Sequence, residues 1–351
     1  MQVGVLTGGG DCPGLNAVIR AVTLALHNEC GARVTGIERG FRGLLLRRAR
    51  PLGLADVAGI LAEGGTILGT DNTCDPFHDP VGGNRSGDAL AFVQSLGLDA
   101  LVAIGGDGTM VIAHQFHLLG LPVVGVPKTI DNDLAHTERS FGFDSAVAIV
   151  AEALDRLATT GRSHGRVMIA ETMGRYAGWI ALEGGLAGGA DVILLPEIGF
   201  TVDAVARHCR EREARGEPTL ICIAEGARAH GQAHTLRATV AGSPDPVRLG
   251  GVALALQQQL QPLLASEVRS TVLGHTQRGG TPTAFDRVLA TRFGYQAAQL
   301  VKDGQFGRMA ALQADACVSV AIAEVAGRNR LVPVDHPLVH AVRGLGVCLG
   351  D

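Results

Sequence analysis

Val3-Gly4-Val5-Leu6-Thr7-Gly8-Gly9-Gly10-Asp11 governs the reading of the whole chain. A short apolar run enters a glycine turn, and Leu15, Val18, Ile19, Val22 and Leu26 then recur at helical spacing. The layout repeats. Ala100–Ile104 precedes Gly105-Gly106-Asp107-Gly108-Thr109 and a helix-like stretch, and Val123–Val126 precedes Pro127-Lys128-Thr129-Ile130-Asp131-Asn132-Asp133. Val167–Ala170, Leu220–Ala224 and Thr271–Leu273 read as further strands, each leading into a polar loop. Strand–turn–helix units in series predict an α/β fold of parallel sheets with helices on both faces. In such sheets ligands bind at the carboxyl ends of the strands, where every one of these loops falls.

At 351 residues the chain exceeds what one core usually holds, so two domains are expected. With 46% hydrophobic and 18% charged residues it is globular. The formal net charge of −4 gives no basic excess for nucleic acid, and no apolar run reaches the ~20 residues of a membrane helix. Seven scattered cysteines without a C-x-x-C pair read as reduced thiols of a cytoplasmic protein. The N-terminus has no basic region or cleavage site of a signal peptide. Two loops are expected, Asp71–Arg85 and Ala241–Gly251, and the chain from about Gly327 onward reads as a short appendage.

Three loops carry candidate chemistry. Gly8-Gly9-Gly10 is either a tight turn or a place where phosphate approaches backbone N–H groups; it is neither a Walker A motif nor a strict G-x-G-x-x-G. Asp107, set among glycines, suits Mg²⁺ held between a carboxylate and phosphate oxygens, and equally suits a helix N-cap. Asp131 and Asp133 stand beside Lys128; in an extended loop they point the same way, one as proton acceptor and one helping to place the metal. A solvated turn would also favour these residues. In the second half Arg166, Met173-Gly174-Arg175, Glu225, Arg269 and His275-Thr276-Gln277-Arg278-Gly279-Gly280 form an anion-binding set, since Arg forks bind phosphate bidentately.

Taken together, the strings 6–16, 105–109, 127–133, 173–179 (Met-Gly-Arg-Tyr-Ala-Gly-Trp) and 273–280 (Leu-Gly-His-Thr-Gln-Arg-Gly-Gly) resemble the 6-phosphofructokinase family, in that family's order. The resemblance implies two doubly wound, three-layer α/β domains with the active site in the cleft between them. Residues 1–142 and 277–305 would bind nucleotide; 143–276 and 306–351 would bind sugar phosphate. It implies ATP as phosphoryl donor and fructose 6-phosphate as acceptor, with Asp131 the base and Thr129 and Arg175 at the transferring phosphoryl. Asp107 would engage Mg²⁺, and Gly10, Asn72, Thr73, Gly106, Gly108 and Thr109 would line the nucleotide. Ile130, Met173, Gly174, Glu225, His275, Thr276, Gln277 and Arg278 would hold the sugar phosphate. Arg166 and Arg269 would reach a neighbouring subunit's site, so a homo-oligomer, most often a tetramer, is implied.

The chain departs from the pattern at Asn72, where many members carry Arg. It also pairs Gly108, an ATP-type feature, with Lys128, a pyrophosphate-type one. Gly108 leaves room for an α-phosphate, so ATP is expected. Other enzymes with Gly-Gly-Asp-Gly-Thr, such as NAD and diacylglycerol kinases, would not carry the 127–133 and 273–280 strings. A pyrophosphate-dependent or other sugar-phosphate kinase and a non-catalytic sugar-phosphate sensor remain the alternatives.

Overall fold

The computed structural model describes residues 1–231, 236–239 and 247–351, with the backbone alone at 236–239 and 247–249. Thirteen strands run in order: β1 (Gln2–Thr7), β2 (Arg33–Ile37), β3 (Ala49–Leu52), β4 (Ala100–Gly105), β5 (Val123–Pro127), β6 (Val167–Thr172), β7 (Val192–Leu194), β8 (Thr219–Ala224), β9 (Leu236–Thr239), β10 (Val247–Leu249), β11 (Val268–Val272), β12 (Arg308–Gln313) and β13 (Ala316–Ala321) among the described residues. Between them lie the helices α1 (Leu15–Cys30), α2 (Phe41–Leu46), α3 (Ser86–Ser95), α4 (Asp107–Leu118), α5 (Phe143–His164), α6 (Trp179–Ala187), α7 (Val202–Glu213), α8 (Val252–Leu260), α9 (Ala284–Lys302), α10 (Ile322–Val325) and α11 (Pro337–Gly344).

Two main sheets result. The first has the order β13-β12-β5-β4-β1-β2-β3 and the second β11-β6-β8-β7, with β9 and β10 as a separate antiparallel pair. Pairing is parallel through β12-β5-β4-β1-β2 and throughout the second sheet. Strands β1, β4, β5, β6 and β8 are buried almost end to end, as sheets covered on both faces require. Helix α9 packs closely on α1 because Gly294 is bare: a Cβ there would lie 2.8 Å from Val18 O.

Three expectations are corrected. Residues 306–351 do not all accompany the second sheet, because β12 hydrogen-bonds to β5 and carries β13 with it into the first. Their core residues Met309, Ala310 and Ala311 are then fully buried there. The last twenty-five residues are no loose appendage. Val339, Val342 and Leu349 are buried, and Cys348 exchanges hydrogen bonds with Asp191 and Ile193 at the edge of β7. The strand expected at Thr271–Leu273 runs from Val268 to Val272. The Asp71–Arg85 stretch is free of regular elements up to the start of α3. Of the loop expected at Ala241–Gly251, residues 241–246 lie outside the described residues.

Candidate active site

The carboxyl ends of β1, β4, β5, β6 and β8 supply one cluster, and the turn after β11 closes it. The central segment follows β5. There Thr129 Oγ1 accepts the Asp131 N–H at 3.1 Å and donates to Asp133 Oδ1 at 2.9 Å. Asn132 takes a left-handed φ of 51°, and its Oδ1 accepts the Ser140 N–H at 3.0 Å. Ser140 Oγ in turn donates to Thr129 O at 2.7 Å. The loop is therefore not extended, and Asp131 and Asp133 are not same-face neighbours of a strand. The turn at Asn132 sends Asp133 back onto Thr129 and leaves Asp131 facing the second sheet's loops.

Asp131 Oδ1 is sealed from solvent without a hydrogen-bond partner among the described residues. Burial raises its affinity for a proton, opposed by the charges of Arg278, Arg175 and Lys128. Burial, and then the neighbouring Asp131, push Asp133 upward as well. Ile130 is buried in the core and positions the loop by packing.

Lys128 is 4% exposed, and its ammonium donates to Gly10 O. Burial lowers its pKa. On the other side of Gly10 stands Arg278, whose Nη1 donates to Asp11 O at 3.1 Å and would lie 2.7 Å from a Cβ on Gly10. Gly10 thus sits between two cations, and a side chain there would displace the Arg278 guanidinium. Thr109 turns its side chain inward, against the base of this loop. It is buried, wedged against Gly8 and Gly105, where Cβ atoms would come within 2.7 and 2.2 Å of its Oγ1.

Gly106, not Asp107, holds the N-cap position of α4. Asp107 Oδ1 accepts the Gly327 N–H at 2.6 Å, and burial raises its pKa against that bond. Gly108 is exposed, and a Cβ there would meet nothing within 4 Å. Asn72 is exposed and precedes Thr73, whose Oγ1 donates to Asp71 Oδ1 at 2.9 Å.

From the second sheet, the Gly174 turn at φ 124° carries Met173 and Arg175. Gly226 is essential to it, since a Cβ there would overlap Arg175 O. The Arg175 guanidinium lies 5.7 Å over the Tyr176 ring. Glu225 follows β8; burial, and then Asp131, push its carboxyl up to about 7. Gln277 was expected on the substrate, but it is fully buried. Its Oε1 accepts the Met173 N–H at 3.3 Å and its Nε2 donates to Gly274 O at 3.0 Å, so it braces the loop. His275 and Thr276 are exposed, with Thr276 Oγ1 donating to Leu273 O.

Arg166 and Arg269 are not brought to this cluster. They lie at the amino ends of β6 and β11, the opposite end of the sheet. Both pair with Glu267, Arg166 Nε at 2.5 Å. The sequence reading missed Glu267, and it missed Arg42, which pairs with Asp71 beside Thr73. An acid two residues before Arg269 was the available signal for the first; the second has none.

The family model described as phosphofructokinase matches residues 2–301. The chain belongs to the phosphofructokinase family. It is an enzyme of that class, a phosphotransferase to an alcohol acceptor. It is 51% identical to a pyrophosphate–fructose 6-phosphate 1-phosphotransferase of Amycolatopsis methanolica, over 96% of this chain and 97% of that one. It is 47% identical to an ATP-dependent 6-phosphofructokinase of Chloroflexus aggregans, over 100% and 98%. The solved pyrophosphate-dependent phosphofructokinase of Marinobacter aquaeolei shares the fold at a TM-score of 0.82, with 22% identity, covering 99% of this chain and 88% of that one. Among the described residues no helix is long and apolar enough to cross a membrane.

Proposed function

We propose that this phosphofructokinase transfers the terminal phosphoryl of ATP to the 1-hydroxyl of fructose 6-phosphate in the cytoplasm. Asp131 carries the reading: a buried carboxylate oxygen with no partner among the described residues, flanked by Arg175 and Arg278, is placed to take a hydroxyl proton. Phosphoryl transfer needs positioning, cations and a base, and the cluster supplies each. Lys128 and Arg278 flank Gly10 where donor phosphates would lie, and Arg175 with Thr129 would face the transferring group. Glu225, Met173, Gly174, His275 and Arg278 would orient the sugar phosphate. Asp107 fits a Mg²⁺ site as a hard oxygen donor, its carboxylate anchored by the Gly327 and Arg328 N–H groups. Among the described residues no three acids, cysteines or histidines form a metal site by themselves, so donor oxygens would complete the shell. Bound there, Mg²⁺ would draw negative charge off the donor phosphates.

The open space at Gly108 supports ATP, since it leaves room for an α-phosphate. One observation favours pyrophosphate instead: the Lys128 ammonium lies directly against the Gly10 carbonyl, inside the donor loop. Turnover with each donor at equal concentration decides between them. ATP should dominate in the parent, and Gly108→Asp should abolish ATP use, because a carboxylate ~4 Å from a phosphate at a surface-like dielectric costs about 4 kcal/mol. A parent that prefers pyrophosphate overturns the ATP reading.

A further inference from the structure

The segment Thr70–Cys74, which borders the Gly8–Asp11 loop, contains no cation of its own, yet one is bound to it from α2. Gly40, just before that helix, has φ 61°, and a Cβ there would lie 2.8 Å from Thr7 O. Only glycine lets α2 begin this close to the end of β1. Arg42, in its first turn, is thereby set against the segment. Its Nε donates to Asp71 Oδ2 at 2.5 Å and its Nη2 to Thr73 Oγ1 at 2.8 Å. Asp71 Oδ1 accepts from Thr73 N, Thr73 Oγ1 and Cys74 N at 2.8, 2.9 and 2.8 Å. The Asp71 main-chain oxygen accepts the Gly9 N–H at 3.1 Å, and Thr70 Oγ1 donates to Gly9 O at 2.5 Å.

A continuous hydrogen-bonded path therefore runs from Arg42 through Asp71 to Gly9, the residue before Gly10. Burial would raise the Asp71 carboxyl, but Arg42 and the Thr73 and Cys74 donors outweigh it and hold the group below the usual range. An ionised acid beside a polyphosphate opposes binding unless a cation accompanies it. Here the cation is Arg42, whose fork geometry also orients what it holds.

We propose that Arg42 is a positioning residue for the phosphoryl donor: with Asp71 it fixes the Thr70–Cys74 segment and Gly9 against the donor phosphates and balances the acid's charge there. The proposal rests on reading Gly8–Asp11 as the donor loop and is independent of which donor is used. The experiment measures kcat and both KM values for the parent, Arg42→Met and Arg42→Lys, with ATP and with pyrophosphate, alongside thermal midpoints. Arg42→Met should raise the donor KM about tenfold or more while the sugar-phosphate KM stays within about twofold. Arg42→Lys should recover most of the loss, and adding Asp71→Asn to Arg42→Met should cost little further, as coupled residues do. A silent Arg42→Met, equal rises in both KM values, or a lowered midpoint with KM unchanged would overturn it. Donor identity is read from the parent alone, so a pyrophosphate-using parent would overturn the ATP reading and leave this test intact.

Discussion

Asp131 is set apart from the other carboxylates of the site by what it lacks. Asp107 has Gly327 and Asp133 has Thr129, whereas Asp131 Oδ1 is sealed and without a partner among the described residues. As the proposed base it acts on a small part of the acceptor. Asp131→Ser should therefore leave sugar-phosphate binding nearly intact and lower kcat by at least ~10²; near-normal kcat would remove Asp131 from the mechanism. Glu225 makes a second prediction. Its carboxyl is raised from 4.5 to about 7 by burial and by Asp131. A raised folded-state value means the folded protein holds the proton more tightly than the unfolded chain. The associated stability is full below pH 4.5 and lost as pH rises through about 7, amounting to about 3 kcal/mol. Glu225→Gln should match the parent in thermal midpoint at pH 5 and exceed it at pH 8. Identical behaviour at both values would show that Glu225 is solvated. Both residues were legible in the sequence as acids at strand ends, but the absence of a partner at one oxygen is a property of packing alone.

Elements were most legible where apolar runs met glycine turns, as at β1, β4 and β5. What escaped was how one element completes another. Glu171, on β6, is 2% exposed and accepts from Gly251 N at 3.0 and 3.1 Å and from Ala253 N at 2.9 Å. A strand side chain thus caps α8 across 80 residues of sequence, satisfying donors the helix cannot satisfy itself. Gly251, the N-cap residue, has no side chain to do so. Glu171→Gln keeps one acceptor oxygen but loses the charge that favours a helix N-terminus. It should lower the denaturant midpoint, corresponding to about 1–2 kcal/mol of unfolding free energy, without altering either KM. An unchanged midpoint would mean the cap is dispensable. The loop after β5 escaped for a related reason: the left-handed Asn132 is fixed by Ser140, eight residues on, and no strand periodicity records that.

At the scale of the molecule, the positions of Arg166 and Arg269 are the informative ones. Both stand at the amino ends of their strands while Asp131, Arg175 and Glu225 gather at carboxyl ends, so these two arginines cannot serve the site of their own chain. Among the described residues strand β11 is the edge of its sheet, with Arg269, Thr271 and Val272 exposed, and an edge of this kind can pair with another chain. If, as the family resemblance implies, subunits of an oligomer share sites, Arg269→Ala should raise the sugar-phosphate KM several-fold more than the donor KM. Steady-state kinetics with each substrate varied would check this; equal effects on both would make Arg269 a structural partner of Glu267 only.

The sequence by itself determined the α/β class, the loops at the strand ends and the family, because short-range patterns encode them: apolar runs, glycine turns, and strings whose order survives in one dimension. Only the tertiary structure decided the return of β12 and β13 to the first sheet, and the distribution of the arginines between two ends of the second. It alone decided the turning of Gln277 and Thr109 inward, and the pairing of Arg42 with Asp71. Each of these depends on contacts between residues distant along the chain. Such contacts are selected by burial and by the need to satisfy buried polar groups, and both are settled only once the sheets have formed.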